Sequence, residues 1–303
     1  MCHKVHMMEF DPKHCTLCPR RCGADRTKRP GLCGGGDSLR AARAALHLWE
    51  EPVISGQNGS GTVFFSGCPL HCRFCQNAVI SETPFGKDIP PERLYDILFE
   101  LEAQGAHNIN LVTAGHFIPY LVPVLERAKP KLTIPVVWNS GGYELPEALR
   151  MLNGLVDIWL PDFKFYSAET ARNYAKAPDY PEIAEAALHE MLRQTGAPVI
   201  ENDLMRRGVI VRHLVLPGHR HESMELLRHL ADTFGTDGFL LSLMSQYTPM
   251  HDDTAFPELN RRVTKMEYDS VVKLASELGF EGFTQDKSSA QSRYTPDFGL
   301  QGI

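Results

Sequence analysis

The chain has 303 residues, of which 43% are hydrophobic and 22% charged, the proportions of a globular protein long enough to bury a sizeable core. With 31 basic and 37 acidic side chains the net charge is −6, which excludes a basic nucleic-acid surface, and no apolar run approaches membrane-spanning length. Met1 to Phe10 lacks the apolar core of a signal peptide, and 8 cysteines in such a chain favour metal ligation and a reducing cytoplasm over disulfides.

In chain order, the first feature is Cys15, Cys18, Cys22 and Cys33, spaced C-x2-C-x3-C-x10-C. Four thiolates can close a tetrahedral zinc site, with Gly31 and Gly34 letting the backbone fold around it, or enclose an iron–sulfur cluster. The plain alternative is a set of unligated thiols, kept reactive by five basic side chains between Arg20 and Arg29. Residues 1–61 are read as this cysteine-rich segment plus a connector, Asp37–Gly61, and residues 62–303 as the main domain.

Strand-like apolar runs follow at Thr62–Ser66, Asn108–Thr113, Ile134–Ser140, Val156–Lys164, Val209–Leu216 and Gly238–Met244. Helical spacing falls between them. Pro90-Pro91 introduces Leu94, Ile97, Leu98 and Leu101 on one face, and Gly105 ends that helix. Leu227, Leu230, Ala231 and Phe234 repeat the pattern, as do Val271, Leu274, Ala275 and Leu278. Alternating strands and helices give βαβ units and a parallel sheet. Six units are too few to close an eight-stranded barrel, so an open (β/α)6 partial barrel is expected, with a doubly wound sheet as the alternative. In barrels the reactive groups collect at the C-terminal strand ends. Thr113 to His116, Asn139 to Gly142, Asp162 to Lys164, Leu216 to His219 and Gln246 to His251 would then share one mouth.

The first of those strand ends carries Cys68, Cys72 and Cys75, spaced C-x3-C-x2-C. A [4Fe–4S] cube takes four thiolates. Three on one loop, with no cysteine after them, leave one iron open to a small molecule. Zinc could use the same thiols with His71, although zinc sites usually pair C-x2-C with a second, distant pair.

This motif, with Phe74 before its last cysteine, resembles the radical S-adenosylmethionine (SAM) superfamily. Further stretches resemble the relatives of the pyruvate formate-lyase activating enzyme: Asn139 to Glu144, Leu160 to Lys164, Arg212 to Gly218 and Leu243 to Tyr247. The resemblance implies that Cys68, Cys72 and Cys75 hold a [4Fe–4S] cluster that binds SAM. Thr113, Gly115 and His116 stand where activating enzymes have a Gly-Gly-Glu turn against the SAM amino group. Asn139 and Ser140 match a polar pair, and Asp162 with Lys164 matches a D-x-K motif beside the SAM carboxylate. Asp162 is there implied to hold a monovalent cation, although the family has an aspartate where this chain has Asn139. Arg212 and His251 fall at SAM-contacting positions.

The implied reaction is reductive cleavage of SAM to a 5′-deoxyadenosyl radical that abstracts hydrogen. The reductant would be a flavodoxin or ferredoxin, and the substrate a glycyl-radical protein, a small molecule or a peptide. A four-ligand iron–sulfur carrier is the rival reading from another class. No His-Glu-x-x-His motif supports a zinc hydrolase.

Overall fold

The computed structural model describes residues 8–250, 252–285 and 296–303. Its strands are β1 (Leu39–His47), β2 (Ser60–Phe65), β3 (Lys87–Ile89), β4 (Ile109–Val112), β5 (Val136–Ser140), β6 (Ile158–Pro161), β7 (Val199–Glu201), β8 (Leu204–Leu214), β9 (Leu240–Met244) and β10 (Gly282–Thr284). The helices are α1 (Pro52–Ser55), α2 (Ala78–Ser81), α3 (Pro91–Ala103), α4 (Ile118–Ala128), α5 (Pro146–Arg150), α6 (Ala168–Ala175), α7 (Tyr180–Thr195), α8 (Arg220–Phe234) and α9 (Lys265–Leu278). Among the described residues no helix is long and apolar enough to cross a membrane.

The strands pair in the order β10-β9-β8-β6-β5-β4-β2-β1-β3. From β2 to β10 every neighbouring pair on this path is parallel. The six expected strands are therefore present and consecutive, in an open sheet of the partial-barrel kind. The helices expected at α3, α8 and α9 form on the spacing that announced them. In α3 the buried residues are Leu94, Ile97, Leu98 and Leu101.

Strand alternation divides two environments. Outward residues such as Trp138, Trp159, Val211 and Leu241 join the large core beneath the helices. Val137, Ile158, Leu160, Ile210 and Leu240 point inward and form a separate apolar cluster. Two residues further along the strands, the inward positions turn polar, at Asn139, Asp162, Arg212 and Ser242. The barrel interior thus changes from an apolar base to a polar upper storey within two residues of each strand.

The connector Asp37–Gly61 does more than pack beside the barrel. Its first part is β1, which pairs antiparallel with β2 from Ala41↔Phe65 to His47↔Ser60. Its second part turns under the sheet, where Pro52 at the start of α1 suits a helix N-terminus. Ile54 of α1 is fully buried and belongs to the inner apolar cluster. Residues 48–55 therefore plug the barrel at the end opposite the cysteine loop.

If Ile54 closes that base, Ile54→Ala leaves a cavity among five inward aliphatic side chains. We expect a loss of about 3 kcal/mol in urea unfolding. A change below about 0.5 kcal/mol would show that the plug contributes nothing to stability.

Candidate functional site

Because β2 to β10 run parallel, their C-terminal ends share one side, and a cavity of about 590 Å³ opens there. Pockets enclosing small organic ligands fall at roughly 300–1,000 Å³. Cys68, Cys72 and Cys75 line one wall of it. Their loop is fixed by its backbone: Arg73 N donates to Tyr174 O at 2.9 Å, and Gly67 N to Ile80 O at 2.7 Å. Gly67 has φ +88°, and a Cβ there would lie 2.2 Å from Cys33 O, so only glycine fits. Phe74 packs edge-on against Phe165 and Tyr174 at 5.9 and 6.2 Å, walling the loop with aromatic rings.

The three thiols act on one another electrostatically, and burial pushes Cys68 up to about 11 and Cys72 further still. Bare, Cys68 and Cys72 would stay protonated. Lys164 opposes this at both sulfurs, and the Ser81 hydroxyl donates to Cys75 Sγ at 3.3 Å. The donor set is three soft sulfurs facing a cavity beside a buried cation, which fits a cluster held by thiolates and open on one side. Among the described residues no three His, Cys, Asp or Glu side chains are grouped for a single metal ion.

Opposite the cysteines is a network of buried charge. Arg212 Nε donates to Asp162 Oδ1 at 2.8 Å, one terminal nitrogen to Asn139 Oδ1 at 2.6 Å, and the other to Glu50 Oε2 at 3.4 Å. Lys164 Nζ pairs with the other oxygen of Asp162. Burial alone would raise the Asp162 carboxyl, but the Arg212 and Lys164 charges outweigh it and hold it below its ordinary value. Burial likewise works against Lys164, whose pairing with Asp162 keeps it charged. Asp162, expected to hold a monovalent cation, is thus already bound to a guanidinium, as is Asn139.

Two groups fasten this network to the strand ends. Tyr180 Oη accepts from Lys164 N at 2.8 Å and donates toward Gly141 O and Asp162 O, at 2.9 and 2.8 Å. Gly142 has φ +72°, and a Cβ there would lie 2.2 Å from Asp162 O, so the loop after β5 touches the end of β6 only through glycine.

Of the other sequence-predicted residues, Thr113 and Ser140 line the cavity. Thr113 sits at φ +56°, an uncommon conformation for a β-branched residue, held by its N–H bonding Asn139 O at 2.8 Å. Gly115 and His116 line a smaller neighbouring space instead. His116 is buried, with Nε2 2.8 Å from Ser66 O and its ring on Phe117. It thus supports the backbone before the cysteine loop. His251 lies outside the described residues. Cys15, Cys18, Cys22 and Cys33 lie near one another: Cys15, Cys22 and Cys33 all act electrostatically on Cys18, and a Cβ on Gly31 would lie 3.4 and 3.7 Å from the Cys22 and Cys33 sulfurs.

Sequence reasoning missed three acids. Glu50 and Glu51 reach the cavity from the plug, and Glu50 also accepts from Asn110 and Asn139 at 3.1 and 3.2 Å. The signal was an acidic pair between Trp49 and Pro52, at the point where the connector turns. Glu144, after β5, is buried against Gly115, whose Cβ would lie 3.1 Å from its Oε1. Ser140 Oγ donates to it at 3.2 Å.

A family model described as "Radical SAM superfamily" matches residues 62–231. The uncharacterized protein MJ0674 of Methanocaldococcus jannaschii is 31% identical over 286 residues, 92% of this chain and 79% of that one. Among solved structures, methylornithine synthase (PylB) shares the fold with a TM-score of 0.52 at 14% identity, over 86% of this chain and 78% of that one. Streptococcus suis SuiB bound to S-adenosylmethionine gives a TM-score of 0.49 at 12% identity, over 72% of this chain and 48% of that one. This chain spans about half of SuiB's length. The matched span contains most of β2, the cysteine loop and every strand from β3 to β8, and its family brings a [4Fe–4S] cluster and S-adenosylmethionine as cofactors: the chain belongs to the radical SAM superfamily.

Proposed function

We propose that Cys68, Cys72 and Cys75 hold the cluster, that SAM occupies the adjoining cavity, and that the hydrogen donor is a glycine of a partner protein. The observation that carries this reading is the cavity itself, with three thiols on one wall and the Asp162–Lys164–Arg212 charges on the other. When bound, the cluster would supply the one-electron reduction by which SAM is cleaved to a radical able to abstract hydrogen. The chain's own residues orient the cofactor and keep water out. Lys164 would meet the SAM carboxylate, Ser140 and Thr113 its methionine end, and Phe74 the water-facing side. Glu144, which packs on Gly115 in the smaller neighbouring space, would back the turn that faces the SAM amino group. The resemblance to activating enzymes supports the glycyl donor, and a flavodoxin or ferredoxin would be the reductant.

A second reading is favoured by the cavity floor. Glu51 lies against Ser242, its Oε2 buried without a hydrogen-bond partner. Such a polar floor suits a small polar substrate that fills the cavity.

Anoxic incubation with SAM, reductant and a glycyl-radical protein separates the two. The first reading requires a glycine-centred electron resonance signal, lost with Cys72→Ala. 5′-Deoxyadenosine formation with no such signal from any partner would favour the second. Because a guanidinium binds Asp162 and Asn139, SAM cleavage is expected to run equally in sodium, potassium or choline buffers of matched ionic strength. A strict alkali-cation requirement would contradict Arg212 as the charge at that place.

Glu144 gives a pH prediction. Burial raises its carboxyl from 4.5 to about 7, against the Ser140 hydrogen bond. The folded chain then keeps a proton that the unfolded chain has lost, so stability falls as pH rises from 4.5 to about 7 and is level above. This contribution is about 3 kcal/mol. Glu144→Gln should flatten that part of the profile in urea unfolding at pH 5 and pH 7.5, and an unaltered slope would show that the carboxyl ionises freely.

A further inference from the structure

The segment from Met8 to Asp37 contains neither helix nor strand. It is nevertheless ordered by short turns around the cysteines: Arg21 N donates to Cys18 O, Gly23 N to Cys15 O, and Gly31 N to Gly35 O, at 2.9, 3.0 and 2.9 Å. Its buried side chains are few, mainly Cys15, Leu17, Ala24, Arg26 and Cys33. An apolar core that small does not hold a lobe of this length by itself.

Arg26 is the informative member. It is only 2% exposed. Nε donates to Gly36 O and one terminal nitrogen to His116 O, both at 2.8 Å. Its guanidinium also lies over the rings of Phe10, Phe117 and Tyr120. These partners are carbonyls and rings, none of them a carboxylate. The remaining nitrogen, Nη2, is buried with no hydrogen-bond partner. A Cβ built on Gly35 would lie 2.8 Å from that nitrogen and 3.3 Å from Cys33 Sγ, so the unused donor and the sulfur flank the same point. A buried cation without a counter-charge is strongly destabilising, and four neutral thiols provide none. Four thiolates on an iron–sulfur cube carry the missing negative charge, and a cube spans cysteines that are not grouped for a single ion.

The same lobe grips the loop of Cys68, Cys72 and Cys75. Arg20, between Cys18 and Cys22, donates to Pro69 O at 2.8 Å and to Ala175 O at 2.7 Å. In return His71 Nε2 lies 2.8 Å from Leu32 O. Gly67 meets the Cys33 carbonyl, as described above.

We propose that Cys15, Cys18, Cys22 and Cys33 hold an anionic tetrathiolate iron–sulfur centre with Arg26 as its buried counter-ion, and that the lobe folded by this cluster clamps the Cys68–Cys75 loop. The centre is independent of SAM chemistry, so its failure and the failure of the radical reading can be told apart. The chain with Cys68→Ala, Cys72→Ala and Cys75→Ala together is expected to retain about four iron per molecule by elemental analysis. Circular dichroism on the same sample checks folding. A folded triple variant without bound iron overturns the centre. The converse variant, Cys18→Ser in the otherwise native chain, should lose that same quantity of metal relative to the parent, and no loss overturns it independently.

Two further measurements test the remaining parts. A chelator should strip this metal about tenfold faster from Arg26→Met than from the parent, with Arg26→Lys near the parent rate. Equal rates in all three remove Arg26 from the centre. In Cys18→Ser, amide hydrogen exchange over residues 67–75 should rise about tenfold. Unchanged exchange there overturns the clamp.

Discussion

The contact on which the upper barrel depends is the Arg212 guanidinium shared by Asp162, Asn139 and Glu50. It joins β8, β6 and β5 to the plug through a single side chain. Charges this deeply buried cost several kcal/mol each to desolvate, and the cost is offset only when every donor and acceptor is matched. Here the planar fork of arginine does what lysine could not, since it meets three acceptors in three directions. Lys164 completes the set on the remaining Asp162 oxygen. The result is a rigid, charged wall facing the thiols, fixed before any cofactor arrives.

Rigidity at that wall has a second source in the loops. Tyr180 ties the ends of β5 and β6 together from α7, and Gly142 lets those ends touch. Thr113 holds an uncommon backbone angle at the next strand end. Strain of this sort persists where the surroundings over-determine it, and here it lies on the cavity rim. The cysteine loop is secured from below by β2, from the side by Tyr174 and from above by the N-terminal lobe.

Much of this was legible in the sequence because strand and helix periods are local. The six strands and the helices α3, α8 and α9 follow from spacing alone, and the cysteine loop falls at the strand end where its chemistry is expected. The resemblance pointed to Asp162, Arg212, Asn139 and Ser140, and all four line the cavity, since each lies near the C-terminal end of a parallel strand. What escaped was non-local. Glu50 and Glu51 sit in a segment with no period, and only the chain's turn beneath the barrel brings them inside. Glu144 meets Gly115 across two strands, a contact no spacing encodes. Arg26 reads as one of five basic residues in a solvated run, yet its neighbours stay at the surface while it is buried.

The plug changes where the smallest self-sufficient unit must begin. Residues 62–231 match the family as a continuous stretch, but a polypeptide trimmed to that stretch would lack β1, α1 and Glu50. It would expose the edge of β2 that β1 covers and leave the Arg212 fork one acceptor short. Bare sheet edges invite pairing with other molecules. For this protein the autonomous barrel therefore starts upstream of the recognisable motif, at the strand that precedes it.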